Sequence, residues 1–164
     1  MTCAKGITSG YLPLGAVLVA PRIAEPFRDP AAGVFRHGYT YGGHAAVAAA
    51  ALANIAIMER EDLCGRAHEL EKELAEALTP LATHPSVQEV RAGTGVLAAV
   101  QLSPERIAAD PAFAGAVAKA AREHGVLTRA LVSGSLQVSP PLVIDDAGLQ
   151  EIASGLAAAL DDVG

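Results

Sequence analysis

The sequence contains no tryptophan, and its aromatic residues make up only 4% of the chain. A folded core must therefore be built from Ala, Leu, Val and Ile, whose compact side chains allow helices to pack closely. Hydrophobic residues nevertheless form 51% of the 164 residues and charged residues only 18%, which is too apolar for a disordered chain. This length suits one domain, or one domain with part of another.

Concentrated basic charge is also missing. The formal net charge is −6, and no cluster of Lys and Arg with interleaved aromatic residues occurs, which argues against binding to nucleic acid. The two cysteines, Cys3 and Cys64, lie far apart in the sequence, so neither a disulfide framework nor a CxxC metal motif exists. This cysteine usage predicts a reducing, cytoplasmic compartment.

No apolar run is long enough to predict a membrane span. The longest covers residues 45–53 and continues only through Asn54, which falls short of the ~18 residues that a span requires. The apolar run at residues 12–20 is interrupted by proline and glycine and lacks a clear cleavage site for a signal peptide. We therefore expect a protein that does not associate with membranes.

The order of predicted elements divides the chain into two parts. Residues 14–20 are continuously apolar and contain β-branched valines, a pattern typical of a strand buried on both faces. Residues 45–60 are rich in alanine and predict a helix. The charged segment at residues 59–62 then predicts a domain boundary, which separates a first domain at 1–60 from a second at 61–164.

The second part predicts the order helix, strand, strand, helix, strand, strand, helix. The apolar residues of its first helix recur at spacings of three and four, and two strands flank the turn at residues 93–95. Asp145 or Asp146 is expected to cap the last helix. This order predicts an α+β fold with helices on one face of a small, largely antiparallel sheet.

Lys5 is the first candidate for chemistry. It stands among small and apolar residues and precedes three glycines and a proline within ten positions. A lysine that is poorly solvated and held near-neutral is a nucleophile towards carbonyls, and glycines let the backbone approach the reacting group. A lysine beside glycine is also commonly an ordinary loop residue, so these residues alone leave both interpretations open.

A second candidate precedes the alanine-rich helix. Residues 37–44 (HGYTYGGH) place the Thr40 hydroxyl and two glycines directly before the N–H groups of a helix end, and these groups suit a phosphate or carboxylate. A glycine-rich turn before a buried helix is the alternative. His37 and His44 lack a third ligand at a suitable spacing, so we predict no metal site.

Arg129 is the third candidate. It ends an apolar strand predicted at residues 126–129 and precedes a glycine–serine turn, with no carboxylate residue next to it in sequence. The planar guanidinium group can bind a substrate carboxylate through two hydrogen bonds. A surface or salt-bridged arginine is the alternative interpretation.

Taken in order, three segments resemble class III aminotransferases, the pyridoxal-phosphate enzymes of fold type I, and most closely their ω-amino acid or amine:pyruvate branch. The segments are AKGITSGYLPLGA at residues 4–16, HGYTYGGH at 37–44, and Arg129 followed by SPPL at 139–142. The resemblance extends over essentially the whole chain. It implies an α/β fold, in which residues 1–60 end the large cofactor domain and residues 61–164 form the small α+β C-terminal domain.

The resemblance also implies a role for each candidate residue. Lys5 would form a Schiff base with pyridoxal phosphate and, once released, move a proton between the substrate and the cofactor. Thr40, with the backbone N–H of Tyr39 or Thr40, would bind the cofactor phosphate across the interface of a homodimer, in the partner's site. Arg129 would bind a substrate carboxylate and swing away for amines. The implied reaction transfers an amino group from an amine or ω-amino acid to a keto acid such as pyruvate.

The chain departs from the family in one respect. Family members have a long N-terminal half before the lysine, whereas four residues precede Lys5 here. That half supplies the acidic partner of the pyridine nitrogen, an aromatic residue stacked on the ring and a Gly-Ser phosphate loop, so the resemblance is to the C-terminal portion only. The alternative from another class is a non-catalytic fragment that associates with a complementary chain or with itself. An aminomutase or decarboxylase is a third possibility within the same fold.

Overall fold

The computed structural model describes residues 1–164, which separate into two compact units, Met1–Asp62 and Leu63–Gly164. The division falls at the end of the charged segment at residues 59–62. Assignment of the two units to the large and small domains of an aminotransferase stays a prediction. No helix in the structure combines the length and the apolar character that crossing a membrane requires.

The first unit contains one antiparallel strand pair and two α-helices. Residues Thr2–Ala4 (β1) pair with Gly15–Val17 (β2), with Cys3 opposite Ala16. Pro21–Ala24 (α1) is a single helical turn that begins with proline, and Ala45–Arg60 (α2) is the alanine-rich helix with the predicted bounds. Shorter 3-10 turns lie at Lys5–Thr8, Glu25–Arg28 and Pro30–Ala32.

The expectation of a buried strand over residues 14–20 is wrong in both length and burial. Only Gly15–Val17 is a strand, and the side chains of Val17 and Leu18 are 69% and 53% exposed. The physical reason is that β1 is the only strand paired with β2, so within this unit no second layer covers its apolar residues. Thr8 and Ala51 are the only buried residues of this unit.

The second unit is a four-stranded antiparallel sheet packed with helices. Its elements are Leu63–Leu78 (α3), Val87–Arg91 (β3), Ala98–Leu102 (β4), Pro104–Ala109 (α4), Phe113–Glu123 (α5), Arg129–Ala130 (β5), Ser135–Val138 (β6) and Asp146–Val163 (α6). The strand order is β3-β4-β6-β5, and every pair is antiparallel. The predicted order of helices and strands is therefore present, with one helix added.

The added helix is α4, and its start carries a signal in the sequence. Ser103 is its N-cap and accepts a hydrogen bond from the backbone N–H of Arg106, while Pro104 occupies the first helical position. Serine at the cap and proline at the next position are the preferred residues there. The strand predicted to end at Arg129 is also shorter than expected, since β5 contains only Arg129 and Ala130.

The core of the second unit lies between the sheet and the helices α3, α5 and α6. Along β4, residues Ala98, Val100 and Leu102 are buried and alternate with half-buried ones, as a strand with one covered face requires. They pack in one cluster with fully buried leucines of the helices, which include Leu70, Leu74, Leu78, Leu156 and Leu160. Asp145 caps α6 by accepting a hydrogen bond from the N–H of Gly148 at 2.9 Å.

Candidate active site

Lys5 opens the 3-10 turn Lys5–Thr8 directly after β1. Its backbone φ angle is +52°, and that of Ser9, just past the turn, is +50°. This left-handed region costs a residue with a side chain about 1 kcal/mol. Because two such residues bracket one short turn, contacts from the surroundings must hold the turn in place.

Two side chains supply those contacts. Thr8 is buried, and its hydroxyl donates to the carbonyl of Leu12 at 2.5 Å. From helix α2, the Nδ2 of Asn54 donates to the carbonyls of Gly6 at 3.0 Å and Ile7 at 3.3 Å. At about 1 kcal/mol for each hydrogen bond, these contacts are sufficient to offset the backbone strain at Lys5 and Ser9.

The side chain of Lys5 is exposed and borders an open cleft of about 650 Å³, which is lined by Ala4, Lys5, Gly10, Tyr11, Leu12, Pro13, Leu14 and Gly15. The poor solvation that we expected from its apolar sequence neighbours is therefore wrong for this structure. Those neighbours are short, and they lie on an uncovered two-stranded sheet, so they do not shield the lysine from water.

The turn before α2 lies at Thr40–Gly43, and the helix begins at Ala45. The N–H of Gly42 donates to the carbonyl of Tyr39 at 2.9 Å, which closes the turn. A Cβ atom at Gly42 would lie 3.1 Å from that carbonyl oxygen, and Gly43 has a φ angle of +71°. The turn therefore needs glycine, and it presents an exposed Thr40 near the N-terminal end of a 16-residue helix with no acidic residue in its first turn.

An exposed aromatic row, which the sequence reasoning missed, leads into this turn. Ring centroids lie 5.4 Å apart for Phe27 and Phe35, 5.8 Å for Phe35 and His37, and 5.5 Å for His37 and Tyr39. Phe27 and Phe35 are 60% and 69% exposed, and Tyr39 is 81% exposed. The alternate spacing of Phe35, His37 and Tyr39 was the available signal, because alternate residues of an extended chain share a side.

No hydrogen bond or ring contact within the first unit joins Lys5 to Tyr39 or Thr40. The structure therefore shows the lysine turn and the Thr40 turn as separate features. They are separated in sequence within the same unit. Helix α2 follows the Thr40 turn, and its Asn54 contacts the lysine turn.

Arg129 lies in the second unit, where it is the first residue of β5 and pairs with Gln137 of β6. It is exposed and lines a cleft of about 440 Å³ together with Thr128, Gln137 and the segment at residues 139–141. No carboxylate forms an ion pair with it, in contrast to Arg91, which binds Glu89. Arg129 is therefore an arginine with its hydrogen-bonding groups available to a ligand.

These features can be tested against the shape and charge of pyridoxal phosphate. An accessible primary amine beside an open cleft fits the aldehyde end, and a glycine-closed turn before a helix fits the phosphate end. No carboxylate lines the lysine cleft, so these residues offer no partner for the pyridine nitrogen. The residues present therefore fit the aldehyde and the phosphate of the cofactor but not its pyridine nitrogen.

Comparison with known proteins identifies the class. The model of the family described as aminotransferase class-III matches residues 1–160, and the chain belongs to this family. The resemblance drawn from the three sequence segments is thereby confirmed at the level of the family. By family the chain is an aminotransferase, and the family implies pyridoxal phosphate as the cofactor.

Two relatives show how similar the chain is to particular enzymes. It is 38% identical over 157 residues to the putrescine–pyruvate aminotransferase of Pseudomonas aeruginosa, an alignment that covers 93% of this chain and 34% of that protein. It is 35% identical over 176 residues to the taurine–pyruvate aminotransferase of Bilophila wadsworthia, covering 99% of this chain and 38% of that protein.

Solved structures agree with these relatives. An amine transaminase from an uncultivated Pseudomonas species, in its PLP-bound form, superposes with a TM-score of 0.88 at 38% identity and covers 99% of this chain and 38% of that one. A thermostable omega transaminase variant gives a TM-score of 0.89 at 32% identity. The predicted α/β transferase fold is thereby confirmed, for a chain that spans little more than a third of the length of these proteins.

Proposed function

We propose that this chain supplies the lysine, a phosphate-binding turn and a carboxylate-binding arginine of a pyridoxal-phosphate aminotransferase. The proposed reaction moves an amino group from an amine or ω-amino acid to a keto acid such as pyruvate. The observation that carries the proposal is the Lys5 turn, since a strained and braced backbone places one exposed amine beside an open cleft. Strain of this kind concentrates at functional sites.

Lys5 has two tasks in this proposal. Its Nζ would hold the cofactor covalently and, once released by a substrate amine, the lysine Nζ would accept the proton from the substrate carbon and return it. The bound cofactor supplies an electron sink that makes this proton acidic. No carboxylate lines the cleft beside Lys5, so the lining residues supply no partner for the pyridine nitrogen.

Thr40 and the backbone N–H of Tyr39 or Thr40 bind the cofactor phosphate in the proposal, in the site of a second copy within a homodimer. Support comes from the absence of contact between Thr40 and Lys5 and from the exposure of the aromatic row that leads to the turn. Exposed apolar patches of this kind mark protein interfaces.

Arg129 binds the substrate carboxylate in the proposal. It is exposed beside a cleft and has no carboxylate partner, so a keto acid meets no competing ion pair there. A cytoplasmic location stays a prediction from the cysteine usage.

One observation favours a second candidate function. Apolar side chains outside the aromatic row are also exposed in the first unit. Leu52, Val17 and Val19 are 68%, 69% and 51% exposed. A non-catalytic fragment that only associates, with a complementary chain or with itself, would use the same surface.

Trapping of the cofactor on lysine separates the two candidates. The chain is incubated with pyridoxal phosphate, reduced with borohydride and mapped by mass spectrometry, with Lys72 and Lys119 as internal controls because they are the other two lysines and both are exposed. We expect the label at Lys5 and its loss in Lys5→Arg. Equal labelling of all three lysines would contradict the catalytic proposal and leave the associating fragment.

Substitution of Arg129 tests the carboxylate role in the complete aminotransferase. A charged hydrogen-bonding partner contributes about 1.5–3 kcal/mol, so Arg129→Ala is expected to lower kcat/KM for pyruvate by roughly tenfold to a hundredfold. A simple amine donor should be affected much less. Arg122→Ala, an exposed arginine of α5, is the matched control. Equal losses for the keto acid and the amine would contradict the assignment.

A further inference from the structure

Asn54 is the only polar residue among residues 45–58 of α2, and its side chain is directed at the lysine turn. Its Nδ2 donates to the carbonyl oxygen of Gly6, 48 positions earlier in the chain, and to that of Ile7. These are the two residues that directly follow Lys5. Asn54 is half-buried, so water competes less for these carbonyls than at an open surface.

The turn that carries Lys5 depends on such a partner. A four-residue 3-10 turn leaves most of its carbonyls without a bond inside the turn, and here the N–H of Ser9 reaches only the carbonyl of Gly6. Asn54 adds a second donor to that carbonyl and binds the carbonyl of Ile7. Left-handed backbone at Lys5 and Ser9 persists only where surrounding contacts hold it.

We propose that Asn54 is a positioning residue for Lys5, which holds the turn at Gly6 and Ile7 so that the lysine amine borders the cleft. The inference rests on the proposed role of Lys5 and extends it to a residue that touches neither substrate nor cofactor. Asn54 acts through the backbone of the turn, because its amide contacts only main-chain carbonyls there and the sulfur of Met58.

Two reactions at the same amine provide the test. Reductive methylation with formaldehyde requires only that Lys5 is accessible, whereas trapping of pyridoxal phosphate with borohydride requires that the amine is aimed at the cleft. Asn54→Leu removes the donor, and Asn54→Asp keeps the shape but places acceptor oxygens against the carbonyls. Glu59→Gln, at an exposed position of the same helix, is the control, and Lys72 and Lys119 normalise both reactions.

We expect both Asn54 variants to trap the cofactor at Lys5 about tenfold more slowly, with methylation of Lys5 changed by less than about twofold. The control variant should match the wild type in both reactions. Unchanged trapping, or equal changes in trapping and methylation, would overturn the positioning role while leaving the proposed function of Lys5 intact.

If the wild type shows no preference for Lys5, the proposed function fails, and amide hydrogen exchange then decides the role of Asn54. Faster exchange at residues 6–9 in Asn54→Leu, with α2 itself unchanged, would support the bracing of the turn. Equal exchange in the wild type and the variant would overturn it.

Discussion

The two units of the chain differ in how they hold their structure. Every buried apolar residue except Ala51 lies in the second unit, whereas the first unit has Thr8 as its only other buried residue. The lysine turn and the Thr40 turn belong to the first unit, and Arg129 belongs to the second. The two candidate residues proposed to hold the cofactor, Lys5 and Thr40, therefore belong to the unit with almost no core of its own.

This difference indicates that the two units hold their candidate residues by different means. In the second unit, sheet and helices share one apolar cluster, and burial of such side chains is the main source of stability. In the first unit, the turn that carries Lys5 is instead contacted by hydrogen bonds from the side chains of Asn54 and Thr8. We therefore expect the structure of the first unit to depend more on single polar contacts than that of the second.

Removal of a large apolar side chain should show the difference most strongly. Leu156 is fully buried in α6, and Leu52 is 68% exposed in α2. We expect Leu156→Ala to lower the free energy of unfolding by about 3 kcal/mol, since it leaves a cavity, and Leu52→Ala to change it by less than about 0.5 kcal/mol. Urea unfolding followed by circular dichroism measures both changes. Similar losses of unfolding free energy in the two variants would contradict the difference in packing between the units.

Addition of a single methyl group tests how tightly the units are packed. A Cβ atom at Gly155 would lie 2.5 Å from Cγ2 of Val126 and 2.9 Å from the carbonyl of His124, so Gly155→Ala should cost about 2 kcal/mol. Gly115 in α5 and Gly38 in the first unit have open space. Gly115→Ala should stabilise by about 0.8 kcal/mol through helix propensity, and Gly38→Ala should be nearly neutral in the same unfolding assay.

The smallest expected effect concerns the ion pair between Arg66 and Glu73 of α3. The hydrogen bonds from Arg66, at 2.7 and 2.8 Å, lower the pKa of Glu73 below its ordinary value, and the charge of Arg66 adds to this. Because the folded-state pKa is the lower one, the stabilisation is present above the ordinary carboxyl pKa and is lost as the pH falls through the folded value.

Glu73→Gln should therefore have a lower urea midpoint than the wild type at pH 7, and the gap should narrow towards about pH 3. The exposed pair of Arg28 and Glu25 in the first unit is the control, and Glu25→Gln should leave the midpoint unchanged at both pH values. A gap for Glu73→Gln that stays constant between the two pH values would contradict the effect of Arg66.

Much of the fold could be predicted because its signals are local. Helix α2 has its predicted bounds, the hairpin of β3 and β4 flanks the predicted turn, and Asp145 caps α6. The helix α4 was missed although Ser103 and Pro104 signalled its start. The buried strand at residues 14–20 could not be judged from sequence, because an apolar run does not reveal whether a second layer covers it.

The site was predictable as a set of residues and not as an arrangement. The motifs around Lys5, Thr40 and Arg129 lead to the family, and the family match confirms that step. The exposure of Lys5 contradicted the expectation drawn from its neighbours. The contact of Asn54 with the lysine turn joins residues 48 positions apart, and no local pattern indicates such a pair.

By itself, the sequence determined the order of helices and strands, the glycine-dependent turn before α2 and membership of the aminotransferase family, because periodicity, caps and motifs act over a few residues. Only the tertiary structure decided which apolar faces are covered, which side chains brace the left-handed backbone at Lys5, and whether Arg129 is paired with a carboxylate. Those outcomes depend on groups that are distant in the chain, and their positions are set only when the whole unit has folded.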